Sequence, residues 1–312
     1  MISDHKISHI PVLLKETIDG LSINPKGIYI DGTVGLGGHS KEIASKLTSG
    51  KLICFDLDSE ALKIARKNLQ IYDDKVTIIQ DDYKNLSKYL DNMNVKEIDG
   101  ILLDLGVSSL QIDNPDRGFS YVNDGKLDMR MDQSKGISAY ELLKDATFED
   151  MAKIFREYGE ENYAGKIAAK IITQRKDKGI QTTYELSELI KSCYPQNYRD
   201  GNPAKRVFQA LRIEVNQELN GLYDFILSVS LRLKSRGRIA VISFHSLEDR
   251  IIKSAFNYLE KDCICDKRSP ICTCNKKREV KIITPRPIIA CSEELNNNKR
   301  AKSAKLRIAE RI

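Results

Sequence analysis

Between Gly27 and Leu105 the chain alternates short apolar runs with segments of helical period, and no other feature of the sequence constrains its fold as strongly. Gly27 to Asp31 reads as a strand that ends in Asp-Gly-Thr, followed by glycines and a helical pattern from Ser40 to Leu47. Lys51 to Phe55 reads as a second strand, and Ser59 to Leu69 as a second helix with Ala61, Leu62 and Ala65 on one side. Val76 to Ile79 and Ile98 to Leu103 supply a third and a fourth strand. Elements of these lengths in this order require a parallel sheet with right-handed crossovers, covered by helices on both faces, and so predict a doubly wound α/β fold.

After Leu105 the alternation stops. From about Asp113 to Glu214 the sequence is polar and helical with no convincing strand, which predicts an inserted helical domain over residues 114–214 within a discontinuous domain of residues 1–113 and 215–312. Thr147-Phe148-Glu149-Asp150 and Thr182-Thr183-Tyr184-Glu185 both have the form of a capping box and mark helix starts. Amphipathic patterns at Phe208, Leu211, Val215 and Leu219, and at Leu222, Ile226, Val229 and Leu233, lead through Arg236-Gly237-Arg238 to a strand at Ile239 to Phe244, where the sheet resumes.

The turn Asp31-Gly32-Thr33-Val34-Gly35-Leu36-Gly37-Gly38-His39 puts glycines where backbone must approach a ligand and enter a helix N-terminus. Such a loop binds a cofactor, but it departs from the dinucleotide spacing G-x-G-x-x-G, so alone it is a weak signal and a mere tight turn is the competing reading. Asp56 closes the second strand, where a carboxylate can accept hydrogen bonds from the hydroxyls of an adenosine ribose; the competing role for Asp56 or Asp58 is to cap the next helix. Asp81-Asp82-Tyr83 after the third strand could hold an adenine, with Tyr83 covering one face. A nicotinamide dinucleotide and S-adenosylmethionine would use the same features. The fourth strand ends at Asp104, beside the switch point of the sheet, and an acid there suits a positively charged ammonium or sulfonium better than a pyrophosphate, which favours S-adenosylmethionine.

Composition narrows the class further. With 41% hydrophobic and 30% charged residues the chain is an ordinary globular protein. No basic region followed by an apolar run opens it, the longest apolar stretches are strand-sized, and the expectation is a cytoplasmic protein without membrane contact. Seven cysteines in such a chain argue for reduced thiols or metal ligation over a disulfide framework. The formal net charge is +6, and Lys276 to Arg311 carries many basic residues against few acids, either a surface for a phosphate backbone or a solvated tail.

The sequence resembles one family over nearly its whole length, the bacterial small-subunit (16S) ribosomal RNA cytosine N4-methyltransferases, also called the MraW or RsmH family. The resemblance rests on His9-Ile10-Pro11-Val12-Leu13-Leu14, Asp31 to Ser40, and Gly100-Ile101-Leu102-Leu103-Asp104-Leu105-Gly106-Val107-Ser108-Ser109. It continues through Gln111, Arg117-Gly118-Phe119-Ser120, Leu127-Asp128-Met129-Arg130-Met131-Asp132 and Ser243-Phe244-His245-Ser246-Leu247-Glu248-Asp249-Arg250. It implies a Rossmann-like class I methyltransferase sheet, with S-adenosylmethionine contacts from Gly35, Gly37, Gly38, His39, Asp56, Tyr83 (Phe in many relatives), Asp104 and Gln111. It further implies that the helical insert helps to recognise RNA, that the partner is 16S ribosomal RNA or the assembled small subunit, and that the product is N4-methylcytosine in the decoding region.

The residues allow that chemistry to be tested independently. Methylation at carbon 5 of cytosine needs a cysteine nucleophile, and the loop from Gly106 to Phe119 has none; amine methylation needs no covalent step. An exocyclic amine must be held in line by hydrogen-bond acceptors and must lose a proton. Asp104 is the first candidate acceptor, although Asp104-Leu105-Gly106-Val107 is not the Asp/Asn-Pro-Pro-aromatic motif of many amino-methyltransferases, so Asp104 could serve the cofactor alone. His245 could accept a proton, contact phosphate, or simply cap or pack locally. Arg117, Phe119 and Tyr121 combine aromatics with an arginine, as a nucleotide pocket would, or form a buried hinge. Cys263-x-Cys265 and Cys272-x-Cys274 make a compact set of four thiols that could enclose a structural zinc. The alternatives to an RNA methyltransferase are a protein or small-molecule methyltransferase, a nicotinamide dehydrogenase, and a ribosome-binding factor without catalysis.

Overall fold

A computed structural model describes residues 10–199, 201–266 and 271–312; His9 lies outside them. The chain divides into two compact units, Met1–Gly106 with Asn220–Ile312, and Val107–Leu219. The sequence reading put the divisions at residues 113 and 214.

The first unit begins with helix α1 (Leu14–Leu21) and continues as β1 (Ile28–Asp31), α2 (Gly38–Lys46), β2 (Lys51–Asp56), α3 (Ser59–Leu69), β3 (Val76–Gln80), α4 (Leu86–Asn92) and β4 (Ile98–Asp104). The second unit holds α5 (Ser109–Asp113), α6 (Ala139–Asp145), α7 (Phe148–Glu157), α8 (Ala164–Gln174), α9 (Thr183–Lys191) and α10 (Ala204–Asn216). The chain then returns to the first unit with α11 (Leu222–Ser230), β5 (Leu233–Ser243), α12 (Ser246–Glu260), β6 (Val280–Ile282), α13 (Ser292–Asn297) and β7 (Lys305–Arg311).

The seven strands form one sheet in the order β3-β2-β1-β4-β5-β7-β6. Neighbours from β3 to β5 pair in parallel, whereas β7 runs antiparallel to both β5 and β6. The order is the Rossmann one with an antiparallel strand inserted before the last position. Successive strand side chains point to opposite faces, and here both faces are apolar. Ile101, Leu103, Ile239 and Val241 join one core with α4, α11 and α12; Leu102, Ala240 and Ile242 join the other with α1, α2 and α3. The result is three layers, helices on each side of a buried sheet.

The helical unit has its own core, in which Phe155, Ile167, Ile171, Leu186 and Leu211 are all fully buried. Thr147 and Thr182 cap α7 and α9 by accepting the N–H of Asp150 and Glu185, as the capping signatures predict. Its described residues contain one isolated β-bridge, Lys126 with Thr182, and no strand.

Two sequence expectations need correction. The strand predicted from Ile239 begins at Leu233, because extra β5 residues bulge opposite Ile98 and Gly100. The segment from Lys276 to Arg311 is not a solvated tail: it forms β6, α13 and β7. Several of its basic residues are held by acids in the same unit, while Lys277, Lys281, Arg286, Lys299 and Lys302 stay exposed. Arg307 and Lys305 pair with Asp249 at 2.6 and 3.2 Å, Arg278 with Glu260 at 2.8 Å and Lys276 with Glu279 at 2.6 Å. The sequence signal failed because Leu306, Ile308 and Ala309 alternate with charged residues whose partners lie far away in the chain. Among the described residues no helix is long and apolar enough to cross a membrane.

Candidate active site

The carboxyl ends of β2, β1 and β4 lie side by side, and each closes on an aspartate: Asp56, Asp31 and Asp104. Between β1 and α2 the chain must reverse over this edge, and groups from all three strands fasten the turn, side chains of Asp31 and Asp56 and the backbone of Asp104. Asp31 accepts the Thr33 N–H at 3.1 Å and the Ser40 hydroxyl at 2.6 Å. Asp56 accepts the Gly35 N–H at 2.8 Å through Oδ2 and the Asp58 N–H at 2.9 Å through Oδ1. The Asp104 N–H donates to Thr33 Oγ1 at 2.6 Å. The glycines then have specific work. Gly37 stands at the N-cap of α2 with φ of 88°, a backbone conformation that side chains disfavour. A Cβ on Gly38 would come within 2.4 Å of Pro11 Cγ, so the opening segment can pack on α2 only because that residue is glycine.

Asp56 therefore holds the glycine turn, while Asp58 caps α3 through the N–H groups of Glu60 and Ala61. A carboxylate offers about four lone-pair directions, so Asp56 keeps acceptor capacity for ribose hydroxyls. Asp81 is committed to its own loop, accepting from Asn85 and Tyr89. Tyr83 is half-buried, edge-on to Phe225 with ring centroids 4.8 Å apart.

The electrostatics of this edge are unusual. Burial pushes the carboxyls of Asp31 and Asp56 up to about 6. Asp104 is pushed well above the usual carboxylate range, first by burial and then by the charges of Asp31 and Glu248. His39 is the one basic side chain paired with Asp104 among the described residues, its Nδ1 lying 3.6 Å from Oδ2. The other ring nitrogen, Nε2, is 3.0 Å from the Val12 carbonyl, which can only accept, so Nε2 carries a proton. Asp104 Oδ1 is buried with no hydrogen-bond partner. Acids crowded in low dielectric with an orphaned oxygen are incomplete without a cation, and the sulfonium and ammonium of S-adenosylmethionine fit that need.

His245 caps α12, its Nδ1 accepting the Glu248 N–H at 3.4 Å. Nε2 lies 3.1 Å from Glu248 Oε1. In the helical unit, Gln111 caps α5, its side chain accepting the Ser108 N–H at 2.9 Å. Arg117 is 2% exposed and turns its guanidinium onto the carbonyls of Arg130 and Met131, each 3.0 Å away. Phe119 sits 5.9 Å from that guanidinium, and Tyr121 packs edge-on against Phe208. The sulfurs of Cys263, Cys265, Cys272 and Cys274 converge. Sequence reasoning missed Asp31, Thr33 and Ser40, which hold the turn, and Glu248, which acts on Asp104 by charge. Asp31 was visible as the acid closing a predicted strand and Glu248 as an acid just beyond the last one, but nothing local distinguished either from a cap.

Comparison with known proteins gives the family. The model of the MraW methylase family matches residues 6–312. The Ribosomal RNA small subunit methyltransferase H of Finegoldia magna is 47% identical over 98% of this chain and 99% of its own length. The protein of the same name from Caldicellulosiruptor saccharolyticus is 50% identical over 97% and 99%. Among solved structures, an rRNA methylase from Streptococcus thermophilus overlaps 98% of this chain and 99% of its own, with 12% identity and a TM-score of 0.42. The chain belongs to the MraW methylase family and is a methyltransferase that uses S-adenosylmethionine.

Proposed function

We propose that the chain methylates the exocyclic N4 amine of a cytosine in the decoding region of small-subunit (16S) ribosomal RNA, acting on the RNA or on the assembled subunit. The observation that carries the reading at the site is the buried, unpartnered Oδ1 of Asp104 at the carboxyl edge of β4. The RNA substrate is supported by the names of the relatives from Finegoldia magna and Caldicellulosiruptor saccharolyticus.

S-adenosylmethionine supplies an electrophilic methyl group on a positively charged sulfur. Gly35, Gly37, Gly38 and His39 would form the turn that holds it, Asp56 would take the ribose hydroxyls, Tyr83 would cover the adenine and Asp104 would meet the positive end. Gln111 is kept as the further cofactor contact that the family resemblance implies. Methyl transfer would exchange the carbon–sulfur bond for a carbon–nitrogen bond, and the amine would give up one proton to solvent or to an acceptor at the site. Asp104 is the acceptor assigned to orient the amine, through the cofactor or directly. A proton role for His245 rests on Nε2 alone, because Nδ1 already accepts the Glu248 N–H. Arg117, Phe119 and Tyr121 are proposed to serve the RNA side; with Arg117 turned inward, its part is to stiffen the loop that presents the two aromatics.

The test is transfer of labelled methyl from S-adenosylmethionine to isolated small subunits and to naked ribosomal RNA, with nucleoside analysis. Label in N4-methylcytosine, lost in Asp104→Ala, is expected. Label in protein or a small molecule, or none in RNA while cofactor still binds, would overturn the substrate assignment.

A further inference from the structure

The connection from α12 to β6 carries four cysteines that the methyl-transfer chemistry does not use. Their sulfurs are 3.5 Å apart for Cys263 and Cys272, 3.6 Å for Cys272 and Cys274, 3.8 Å for Cys263 and Cys274, and 4.0 Å for Cys265 and Cys272. All four ligand atoms lie within 4.8 Å of one another.

Ordinary burial does not explain this convergence, since none of the four is buried. Free cysteines that merely pack are among the most buried residues. Disulfides do not explain it either, because a sulfur–sulfur bond is about 2.05 Å long. A tetrahedral zinc site does: with zinc–sulfur bonds of about 2.3 Å, the edges of the sulfur tetrahedron are about 3.8 Å. An iron–sulfur cluster needs its cysteine sulfurs spread around an inorganic core, and these are too close together. The backbone is also arranged for thiolates. The N–H groups of Ile264, Cys265 and Thr273 donate to the sulfurs of Cys274, Cys263 and Cys265, each at 3.4 Å, as outer-shell donors to metal-bound sulfur do.

We propose that Cys263, Cys265, Cys272 and Cys274 hold one structural zinc ion that closes the connection between α12 and β6. Binding converts four thiols to thiolates and releases their protons to solvent, with no change of oxidation state. Because all four positions of the tetrahedron are taken by protein, the ion has no open site for substrate, and its work is to fix the chain that leads into the antiparallel end of the sheet.

The full chain, produced in zinc-supplemented medium and purified with reductant and without chelator, is expected to contain one zinc per molecule by elemental analysis. Cys265→Ser/Cys272→Ser should contain none. Two measurements on the unaltered chain keep the test independent of how that variant folds. Titration with a mercurial should release the zinc in step with four thiols, and cobalt in its place should give sulfur-to-cobalt charge-transfer bands and the intense visible bands of a tetrahedral site. No bound metal after reconstitution with zinc under reducing conditions would overturn the proposal. So would iron in place of zinc, an octahedral cobalt spectrum, or zinc content unchanged in the double variant.

Discussion

Two groups of acids in the sheet-bearing unit are built from the same residue type and behave in opposite ways. Asp31, Asp56 and Asp104 stand at the ends of β1, β2 and β4 with hydroxyl, backbone N–H and imidazole groups around them, and burial drives their proton affinity up. Asp249 on α12 is also partly buried, yet Arg307 and Lys305 more than offset the burial and hold its carboxyl below the usual range. The second arrangement is finished within the chain. The first lacks its positive partner, which is the mark of a place where a ligand completes the structure. What separates a stabilising acid from a binding acid here is the presence of a cation in the chain itself, not the depth of burial.

The largest expected effect breaks this contrast at Asp104. Asp104→Ala should lower kcat/KM by about a thousandfold, the scale of losing a positioned electrostatic contact. The urea midpoint should stay level or rise, because a buried acid whose Oδ1 has no hydrogen-bond partner has been removed. A variant that loses both activity and stability would put Asp104 among the structural acids. Asp249→Ala is expected to do the reverse. It leaves Arg307, itself 7% exposed, without its main partner, and should cost about 3 kcal/mol in urea unfolding. The folded fraction should still bind S-adenosylhomocysteine normally in calorimetry. A loss of binding at unchanged stability would erase the distinction between the two groups.

Much of this fold was legible from periodicity because β1 to β4 and their helices are local, each strand a run of apolar residues beside the helix that covers it. The row of acids at the carboxyl edge was legible for a related reason: Asp56 and Asp104 are the last residues of strands, and in a parallel sheet that position alone puts them there. What stayed hidden depends on partners distant in sequence. The pairing of β7 with β5 and the bond of Arg307 to Asp249 span 58 or more residues, so the basic stretch looked solvated. The sequence left Arg117 between a nucleotide pocket and a buried hinge, and what buries it, the carbonyls of Arg130 and Met131, lies over a dozen residues away. The cysteines were readable as a set, but only their coordinates reveal the tetrahedral spacing.

Asp31→Asn sharpens the comparison through pH. A group whose folded pKa is about 6 against about 3.9 unfolded holds its extra proton in the folded state. Its contribution is therefore fully present below the unfolded value and is lost as pH rises from about 4 to 6, at a cost of about 3 kcal/mol. Asp249 has the opposite sign and weakens the fold as pH falls. In the absence of cofactor, Asp31→Asn should flatten the decline in urea stability between pH 4 and 6. An unchanged pH profile would mean that Asp31 is ionised throughout, and that the edge is not electrostatically strained.

The smallest effect concerns the ligand itself. If Asp104 is protonated in the free protein and ionised against an ammonium in the complex, each binding event expels a proton. Affinity for S-adenosylhomocysteine then rises with pH, by up to about tenfold per unit while Asp104 titrates and the ligand amine stays charged. The homocysteine form is the right probe because it keeps the ammonium and lacks the sulfonium, so a slope assigns Asp104 to the amino end. Calorimetry in two buffers of different ionisation enthalpy should count the released proton directly, and Asp104→Asn should abolish both the slope and the release. A flat profile for the unaltered chain would leave Asp104 facing the amine of the substrate base. The carboxyl edge would then be completed by RNA as well as by the cofactor.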